Sequence, residues 1–315
     1  MIHLRVVLHQ FILSLTRMRL ATCQGRPAMV TIRQGMMKDC TDLLEVYQGT
    51  RWFYRTIPGG YTTVEQVKDE HIGAAFERWG WLVAEEKGKV IGEIVFRAEK
   101  NPVSGKVGII RNLDIDVRNQ KTTIGTKLTR AAEEVLRKKR VVRVVATTPP
   151  AAYNYWMKAK YFARGSIMNI SIPTAKIPKM RTPKVKTVTL KSVTKLPTSM
   201  KFSHIAYPGS LAELAATLID GDLKGNLMEY YSEERLVGVG VVAQIDAKTA
   251  AFAADVTKRG LAVADIVISR TAGFPLKWKA KKVISMIPKD HLGVFTSSAK
   301  WAYELSTDIP VTRLL

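Results

Sequence analysis

Residues 119–130 combine small, hydroxylated and basic side chains, and this stretch contains no acidic residue. Its central part reads Gln120, Lys121, Thr122, Thr123, Ile124, Gly125 and Thr126. A chain that enters a helix through small residues leaves several backbone amides without a partner, and such amides attract an anion, most often a phosphate. The residue types and their order therefore predict a phosphate-binding loop.

The elements on either side of this loop would hold it in place. Leu113, Ile115 and Val117 alternate with two aspartates, which is typical of a strand. From Gly125 onward the apolar residues recur at helical spacing. The loop has neither the Gly-to-Gly-Lys-Ser/Thr spacing of the P-loop nor the second glycine pair of a dinucleotide-binding fold, so the common nucleotide folds are excluded.

The pattern Gln120-x-x-Thr123-x-Gly125 resembles the acetyl-coenzyme A loop of the GNAT acetyltransferase superfamily, whose signature is Arg/Gln-x-x-Gly-x-Gly/Ala. Thr123 stands where the first glycine is usual. The resemblance extends over about 140 residues, because the sequence predicts strand, helix, helix, three strands, helix, strand, helix and strand, which is the GNAT order. Residues 90–92 and 155–162 also resemble the third strand and the closing helix-to-strand segment of the superfamily.

The resemblance implies an α/β (α+β) fold, in which helices flank a mixed central sheet, and acetyl-coenzyme A as the cofactor. The main chain of Leu113, Ile115 and Val117 would pair with the pantetheine arm. Residues 120–126 would hold the pyrophosphate: Gln120, Lys121, Thr122, Thr123, Ile124, Gly125 and Thr126. The implied reaction is acetyl transfer to the amine of a small molecule or protein, by direct attack in a ternary complex.

Acetyl transfer needs a base for the ammonium group and is helped by an acid for the departing thiolate. Glu93 and Asp114 are the carboxylates expected near the centre of the sheet, although a solvent-facing strand residue is the commoner role for either. The superfamily often uses a tyrosine as the acid. Trp156 takes that place here and cannot donate such a proton, so Tyr155 or Tyr153 would substitute, unless Tyr155 only packs in the core.

An aromatic cluster between the first two predicted helices lies where GNAT acceptor sites usually form. Its members are Trp52, Phe53, Tyr54 and Tyr61, with Arg51 and Arg55 beside them. Burial in the core is the default interpretation of the aromatic residues, and solvation that of the arginines. No residue identifies the acceptor.

The 315-residue chain has a net charge of +22, and residues 173–201 hold eight basic residues and no acidic one. This charge permits nucleic-acid binding, so the alternative function is a non-catalytic GNAT-like protein that binds nucleic acid or uses acetyl-coenzyme A as a regulatory ligand. A solvated basic surface is favoured. The chain has only two cysteines and no apolar run long enough to cross a membrane, so we expect a cytoplasmic protein.

The sequence divides into a basic extension (1–28), a GNAT domain (29–172), an exposed Pro/Lys-rich linker (173–185) and a second domain (186–315). The second domain repeats the order of the first faintly, with a helix expected at 297–305 and a closing strand at 311–315. We interpret it as a degenerate GNAT copy that covers the acceptor cleft or forms a homodimer. An unrelated small α/β domain is the alternative.

Overall fold

The computed structural model describes residues 29–50, 61–180 and 182–315, so the basic extension and most of the aromatic cluster lie outside the described residues. The strands are β1 (Thr31–Gln34), β2 (Trp81–Glu86), β3 (Lys89–Asn101), β4 (Gly105–Ile115), β5 (Val141–Thr148), β6 (Phe162–Ala163), β7 (Ile167–Pro173), β8 (Lys186–Leu190), β9 (Lys224–Ser232), β10 (Arg235–Gln244), β11 (Thr249–Val256), β12 (Lys282–Pro288), β13 (Ala302–Leu305) and β14 (Ile309–Leu314). The helices are α1 (Cys40–Thr50), α2 (Val64–Glu70), α3 (Ile124–Lys138), α4 (Tyr153–Lys158), α5 (Ser210–Ile219), α6 (Ala264–Gly273) and α7 (Leu292–Thr296).

The strands form two seven-stranded sheets, ordered β1-β2-β3-β4-β5-β14-β6 and β13-β7-β12-β11-β10-β9-β8. Each sheet is antiparallel except for one parallel pair, β4 with β5 and β11 with β12. We call the first sheet with α1 to α4 the first unit, and the second sheet with α5 to α7 the second unit. The predicted fold class, a mixed sheet flanked by helices and present twice, is confirmed.

Short-range signals set several element ends. The spacing Thr63-x-x-Gln66 predicts a capping box that begins a helix running to about residue 79. The side chain of Thr63 accepts from the Gln66 amide and that of Gln66 accepts from the Thr63 amide, so this capping box begins α2. The helix ends at Glu70, not near residue 79 as expected. Its last turn is closed by the amides of His71 and Gly73, which donate to carbonyls three or four residues back.

Helices cover both faces of the first sheet. Leu128, Ala132 and Leu136 of α3 are fully buried against one face. Leu43 and Tyr47 of α1 are buried against the other face. This arrangement leaves the end of the sheet that carries the loop after β4 between α1 on one side and α3 on the other.

The chain exchanges strands between the two sheets. A single strand over 162–172 in the first domain was expected, but Gly165 has φ 75° and interrupts it. Beyond that break, β7 pairs with β12 of the second sheet, and β14 pairs with β5 of the first. The expectations that residues 167–172 close the first sheet and that 311–315 close the second are therefore wrong. The borders at 172 and 186 stay predictions, but neither sheet comes from one continuous stretch.

The segment after β7 is not the exposed linker that its prolines and lysines predicted. Ile177 and Val185 are buried in the core of the second unit. The Arg270 guanidinium on α6 donates to three carbonyls of this segment, those of Met180, Thr182 and Val185, at 3.1, 3.0 and 2.5 Å. These hydrogen bonds join a side chain of a distant helix to main-chain carbonyls. The local amino-acid composition therefore does not indicate them.

The expected helix at 297–305 is also wrong. In its place the short helix α7 ends at Thr296, and β13 pairs with β7 at the edge of the second sheet. Tyr303 and Leu305 lie opposite Ile170 and Met168 in this pairing. Across the described residues, no helix combines the length and apolar character needed to cross a bilayer.

The two units meet through a cluster of charges. Arg97 on β3 is 0% exposed and donates to Glu99 and, across the boundary, to Glu213 of α5 at 2.5 Å. Arg111 of β4 donates to the same Glu213 carboxylate at 2.7 and 2.9 Å. The Gly209 carbonyl also accepts from Arg97. A buried guanidinium requires such partners, so the second unit supplies part of the environment on which the first depends.

Candidate active site

The parallel strands β4 and β5 separate toward the end that carries the loop. They pair only from Lys106 to Ile109 on β4, although β4 continues to Ile115. On its other side β4 stays paired with β3 as far as Ile115. Among the described residues, β4 therefore has no ladder pairing with β5 beyond Ile109, and the two strands no longer lie side by side there.

Leu113 and Ile115 lie in the part of β4 beyond its pairing with β5, as the resemblance implied. Val117 does not, because β4 ends at Ile115 and Val117 begins a short 3-10 turn with its side chain 54% exposed. The expectation that Val117 continues the strand is wrong. The cause is local: the Asp116 carboxylate accepts from the Arg118 amide at 2.9 Å and turns the chain out of the sheet.

A β-bulge lies at the start of the separation. Val95 of β3 pairs with Asn112 and Phe96 with Ile110, so Arg111 is the extra residue. A bulge bends its strand and increases the local twist, which turns β4 away from β5. The ion pair between Arg111 and Glu213 holds this bulge from the second unit.

Side chains brace the loop itself. The Gln120 amide donates to the Ile115 carbonyl at 3.1 Å, and the Thr122 hydroxyl donates to the Asn119 carbonyl at 2.7 Å. Lys121 adopts φ 62°, a left-handed conformation that is uncommon for a residue other than glycine. Such a residue in a turn helps to direct successive amides toward one point, which forms an anion-binding concavity.

Helix α3 begins directly after the loop. Thr123 is its N-cap and makes no side-chain cap hydrogen bond, and Gly125 and Thr126 lie in the first turn, where amides have no intrahelical acceptor. The first turn contains no acidic residue, and Lys121 and Lys127 are exposed beside it. Amides, hydroxyls and ammonium groups are the donors that a pyrophosphate requires, so these residues fit one.

Tyr155 of α4 packs directly on this helix start. A Cβ at Gly125 would lie 3.1 Å from Cε2 of Tyr155. The Tyr155 hydroxyl lies 2.6 Å from that of Thr129, one turn into α3. Burial raises the pKa of Tyr155 to about 12, a rise that the Thr129 hydrogen bond opposes and the Glu133 charge supports. The phenol is therefore protonated throughout the neutral range.

Trp156 is 5% exposed and packs edge-on against both Tyr155 and Tyr161. Of the two neighbouring aromatic residues, the structure brings Tyr155 to the loop and Trp156 to the core. The role of Tyr155 as an acid stays a prediction.

Glu93 is 0% exposed. One carboxylate oxygen accepts from His71 Nε2 and Trp81 Nε1, each at 2.9 Å, and the other accepts from the Tyr47 hydroxyl. The Nδ1 atom of His71 lies 2.7 Å from the Val67 carbonyl. Both ring nitrogens thus face acceptors, which only an imidazolium can satisfy. Burial would lower the pKa of His71, but the Glu93 charge and hydrogen bonds raise it to about 10.

The sequence analysis did not find this buried group. His71 was one of five scattered histidines, and Tyr47 and Trp81 had only the signal of apolar core residues. Asp114 differs from Glu93 in exposure: it lies directly opposite Glu93 on β4, it is only partly buried, and it accepts from the Thr50 hydroxyl at 3.2 Å. The two carboxylates share a face of the sheet.

The predicted acceptor cluster lies largely outside the described residues, with Trp52, Phe53, Tyr54, Arg51 and Arg55 all in that part. Tyr61 is described and nearly buried. Its ring meets that of Tyr47 edge-on with centroids 4.9 Å apart, and its hydroxyl donates to Glu70. Tyr61 therefore lies beside the buried Glu93 group.

Comparisons with known proteins agree with this geometry. Residues 46–159 match the model of the Acetyltransferase (GNAT) family. A GCN5-related N-acetyltransferase from Anabaena variabilis is similar in structure, with a TM-score of 0.61 at 11% identity over 91% of this chain and 73% of that one. One from Kribbella flavida gives 0.57 at 14% identity over 91% and 71% of the two chains.

A putative acetyltransferase from Pyrococcus horikoshii is similar over 94% of both chains, with a TM-score of 0.52 and 16% identity. The curated proteins give no match. The solved structures show the fold, and the family model adds the class of protein. The first unit carries a GNAT acetyltransferase domain, and the chain as a whole has the fold of two such domains in tandem. By the match over residues 46–159, the first unit is of the acetyltransferase type.

Proposed function

We propose that the first unit transfers the acetyl group of acetyl-coenzyme A to an amine, by direct attack in a ternary complex. The observation that carries this proposal is the meeting of three features at one end of the sheet: the separated strands β4 and β5, the anion-accepting start of α3, and Tyr155 packed on Gly125.

The cofactor would lie against the loop and the end of β4. The amides from Lys121 to Thr126 and the Thr123 hydroxyl would receive the pyrophosphate. The part of β4 beyond its pairing with β5, which includes the main chain of Leu113 and Ile115, would pair with the pantetheine arm as an added strand does. Bound there, acetyl-coenzyme A supplies an activated acetyl thioester.

We assign the base to Asp114 and not to Glu93. Glu93 has no exposed surface and already accepts from three side chains, and the His71 imidazolium compensates its charge. Asp114 is partly exposed on the same face of the sheet. Asp114 would take a proton from the ammonium group of the acceptor, directly or through water, which leaves the free amine as the nucleophile.

Tyr155 is assigned as the acid. When the amine nitrogen bonds to the acetyl carbon and the carbon–sulfur bond breaks, Tyr155 would give its proton to the thiolate sulfur, and the nitrogen would release its surplus proton to water as the amide forms. Its phenol is available in the protonated form because its pKa is raised to about 12. Proton transfer by a placed side chain of this kind contributes about a hundredfold or more in rate.

The test is the thermal midpoint with and without saturating acetyl-coenzyme A, for the wild type, Gly125→Glu and Gly293→Glu. A ligand that binds only the native state raises the midpoint. Glu at 125 would bring negative charge and bulk to the helix start, whereas Gly293 is exposed on α7 with nothing within 4 Å of an added Cβ.

We expect a rise in the wild type and in Gly293→Glu, and none in Gly125→Glu. A panel of amines then follows, with thiol release as the readout. No rise in the wild type would contradict the proposal and favour the nucleic-acid alternative. A rise without acetyl transfer to any amine would favour the regulatory-ligand alternative.

A further inference from the structure

Arg313 lies on β14, the strand that the far end of the chain contributes to the first sheet. It sits opposite Val144 of β5. One of its guanidinium nitrogens donates to Glu133 Oε1 at 3.1 Å and to the Ala159 carbonyl at 3.0 Å. The Arg313 side chain is 26% exposed, whereas that of Glu133 is 1% exposed. A single side chain thus joins α3 to the end of α4.

Glu133 is the α3 end of this connection and is 1% exposed. A buried carboxylate is costly without partners, and here they are Arg313, the Tyr161 hydroxyl at 3.1 Å and Arg137 at 3.6 Å. Glu133 lies one turn after Thr129, whose hydroxyl contacts that of Tyr155. The carboxylate that Arg313 compensates is therefore close to the proposed acid.

Ala159 is the α4 end of the connection. It caps that helix, and its amide donates to the Tyr155 carbonyl at 3.0 Å. The Trp156 ring packs edge-on against the rings of both Tyr155 and Tyr161, with centroids 5.2 and 4.9 Å apart. A shift of the Ala159 end would therefore move the helix that places Tyr155 on Gly125.

We propose that Arg313 is a positioning residue for Tyr155, acting from the exchanged strand by tying Glu133 of α3 to the carboxyl end of α4. This inference rests on the proposed function, since Tyr155 is assigned there as the acid. Arg313 itself does not touch the loop. Its effect is to hold the phenol at the helix start and to offset the Glu133 charge beside it.

Both effects of losing Arg313 act in one direction. Glu133 would keep fewer donors, and its charge, which raises the pKa of Tyr155, would be less compensated. Tyr155 would become a weaker acid on a less firmly held helix. We expect Arg313→Gln to lower kcat about tenfold, with the KM for acetyl-coenzyme A changed less than threefold, because the loop is untouched.

The kinetic test is a double-mutant cycle with Tyr155→Phe. If Arg313 acts through Tyr155, Arg313→Gln lowers kcat in the wild type and has no further effect in the Tyr155→Phe background. Arg313→Lys, which keeps a donor and the charge, should recover most of kcat. Arg164→Gln removes an equal charge from an exposed side chain beside β14 and should leave kcat unchanged. An equal loss in both backgrounds would overturn the inference.

A second readout does not depend on activity. With 3-fluorotyrosine placed at position 155, the fluorine resonance reports the surroundings of the ring. Arg313→Gln should shift or broaden it, whereas Arg164→Gln should not. An unchanged resonance in Arg313→Gln would overturn the positioning role, whatever the enzyme does. If Arg313→Gln changes the resonance but the wild-type protein transfers no acetyl group to any amine, the positioning role stands and the proposed function fails.

Discussion

The two units carry the same frame, but their loops differ in chemistry. In the second unit β11 and β12 also separate, since they pair only from Thr249 to Ala251 on β11. In the first unit the loop leads directly into α3 with no acid in its first turn. In the second unit a five-residue 3-10 turn intervenes, and Asp265 lies in the first turn of α6.

The glycines of the two loops have different uses. Gly125 supports Tyr155 at the helix start. A Cβ at Gly260 would lie 1.8 Å from the Val237 carbonyl, so that glycine permits close packing of backbone on backbone. The Gly260 amide already donates to the Thr257 hydroxyl at 3.1 Å. An anion would therefore meet fewer free amides and a carboxylate in the second loop.

The carboxylates at the strand ends differ as well. Asp114 lies one residue before the end of β4, opposite Glu93, and Asp255 lies one residue before the end of β11, opposite Val239. Asp255 is 0% exposed and accepts from three main-chain amides between 2.7 and 2.9 Å. Burial raises its pKa to about 7. The comparison teaches that a shared frame can keep its strand geometry while its polar residues become structural.

The largest effect is expected from a change at Tyr155 of α4. The short helix α7, which follows β12 as α4 follows β5, contains no tyrosine. Tyr155→Phe should lower kcat about a hundredfold, because the proton donor is lost while the ring still packs on Gly125. The thermal shift with acetyl-coenzyme A should persist. Tyr153→Phe, on the same helix, is the control and should retain activity. Equal kinetics in Tyr155→Phe and the wild type would remove Tyr155 from the mechanism.

The contact between the units gives the next effect. Glu213→Ala leaves the buried Arg97 with fewer partners. We expect a loss of about 2 kcal/mol in the free energy of unfolding. This is less than for a fully buried pair, because the Glu213 side chain is 42% exposed and solvent screens its charge. Urea denaturation measures this loss. Glu234→Ala, at an exposed turn, should cost little.

The Glu213 contribution should also depend on pH. Burial would raise the pKa of Glu213, but Arg97 and Arg111 lower it. A carboxyl with a lowered native pKa stabilises the fold above its unfolded pKa of about 4.3 and loses that contribution as the pH falls. The difference between wild type and Glu213→Ala should therefore be full at pH 7 and shrink toward pH 3. A difference that stays constant would mean that the ion pairs contribute nothing.

The two strand-end carboxylates can be compared directly. Asp114→Asn should lower kcat/KM about tenfold at neutral pH, since the amide cannot accept the ammonium proton. Asp255→Asn should leave acetyl transfer within twofold of the wild type. Initial rates with one amine suffice. If both variants behave alike, the two carboxylates do not differ as proposed, with Asp114 a partly exposed base and Asp255 a buried structural residue.

The smallest effect is expected at the loop charges. Lys121→Glu should weaken acetyl-coenzyme A binding about fivefold, because an exposed cation near a helix start adds only modestly to anion binding. Arg259→Glu makes the same change in the second loop and should have no effect. Isothermal titration calorimetry gives both affinities, and it should count one cofactor per chain. Two cofactors per chain would contradict the comparison.

What the sequence could predict was local. The loop, the strand before it and α3 depend on residues within one stretch, as does the capping box of Thr63 and Gln66. The buried group around Glu93 depends on Tyr47, His71 and Trp81, which come from three other parts of the chain. No spacing within one stretch of sequence therefore predicts it. The separation of β4 from β5 depends on a bulge and on register, and a one-dimensional pattern contains neither.

The strand exchange was missed for the same reason. Residues 162–172 have the apolar alternation of a strand, but alternation does not say which sheet the strand joins. Only Gly165, in its left-handed conformation, marks the crossing between sheets. The burial of Ile177 and Val185 was missed because Arg270, which donates to main-chain carbonyls of this segment, lies 85 or more residues away.

The exchange of strands between the sheets also determines when the first sheet can be completed during translation. During translation β5 lacks one neighbour until residues 309–314 have been made, and these follow every other described strand in the chain. Until then a strand that is internal in the finished sheet presents an open edge, the kind of surface that attracts other strands. The first sheet is thus begun early and completed only after the second sheet's strands have been made, and a chaperone would have most to protect in that interval.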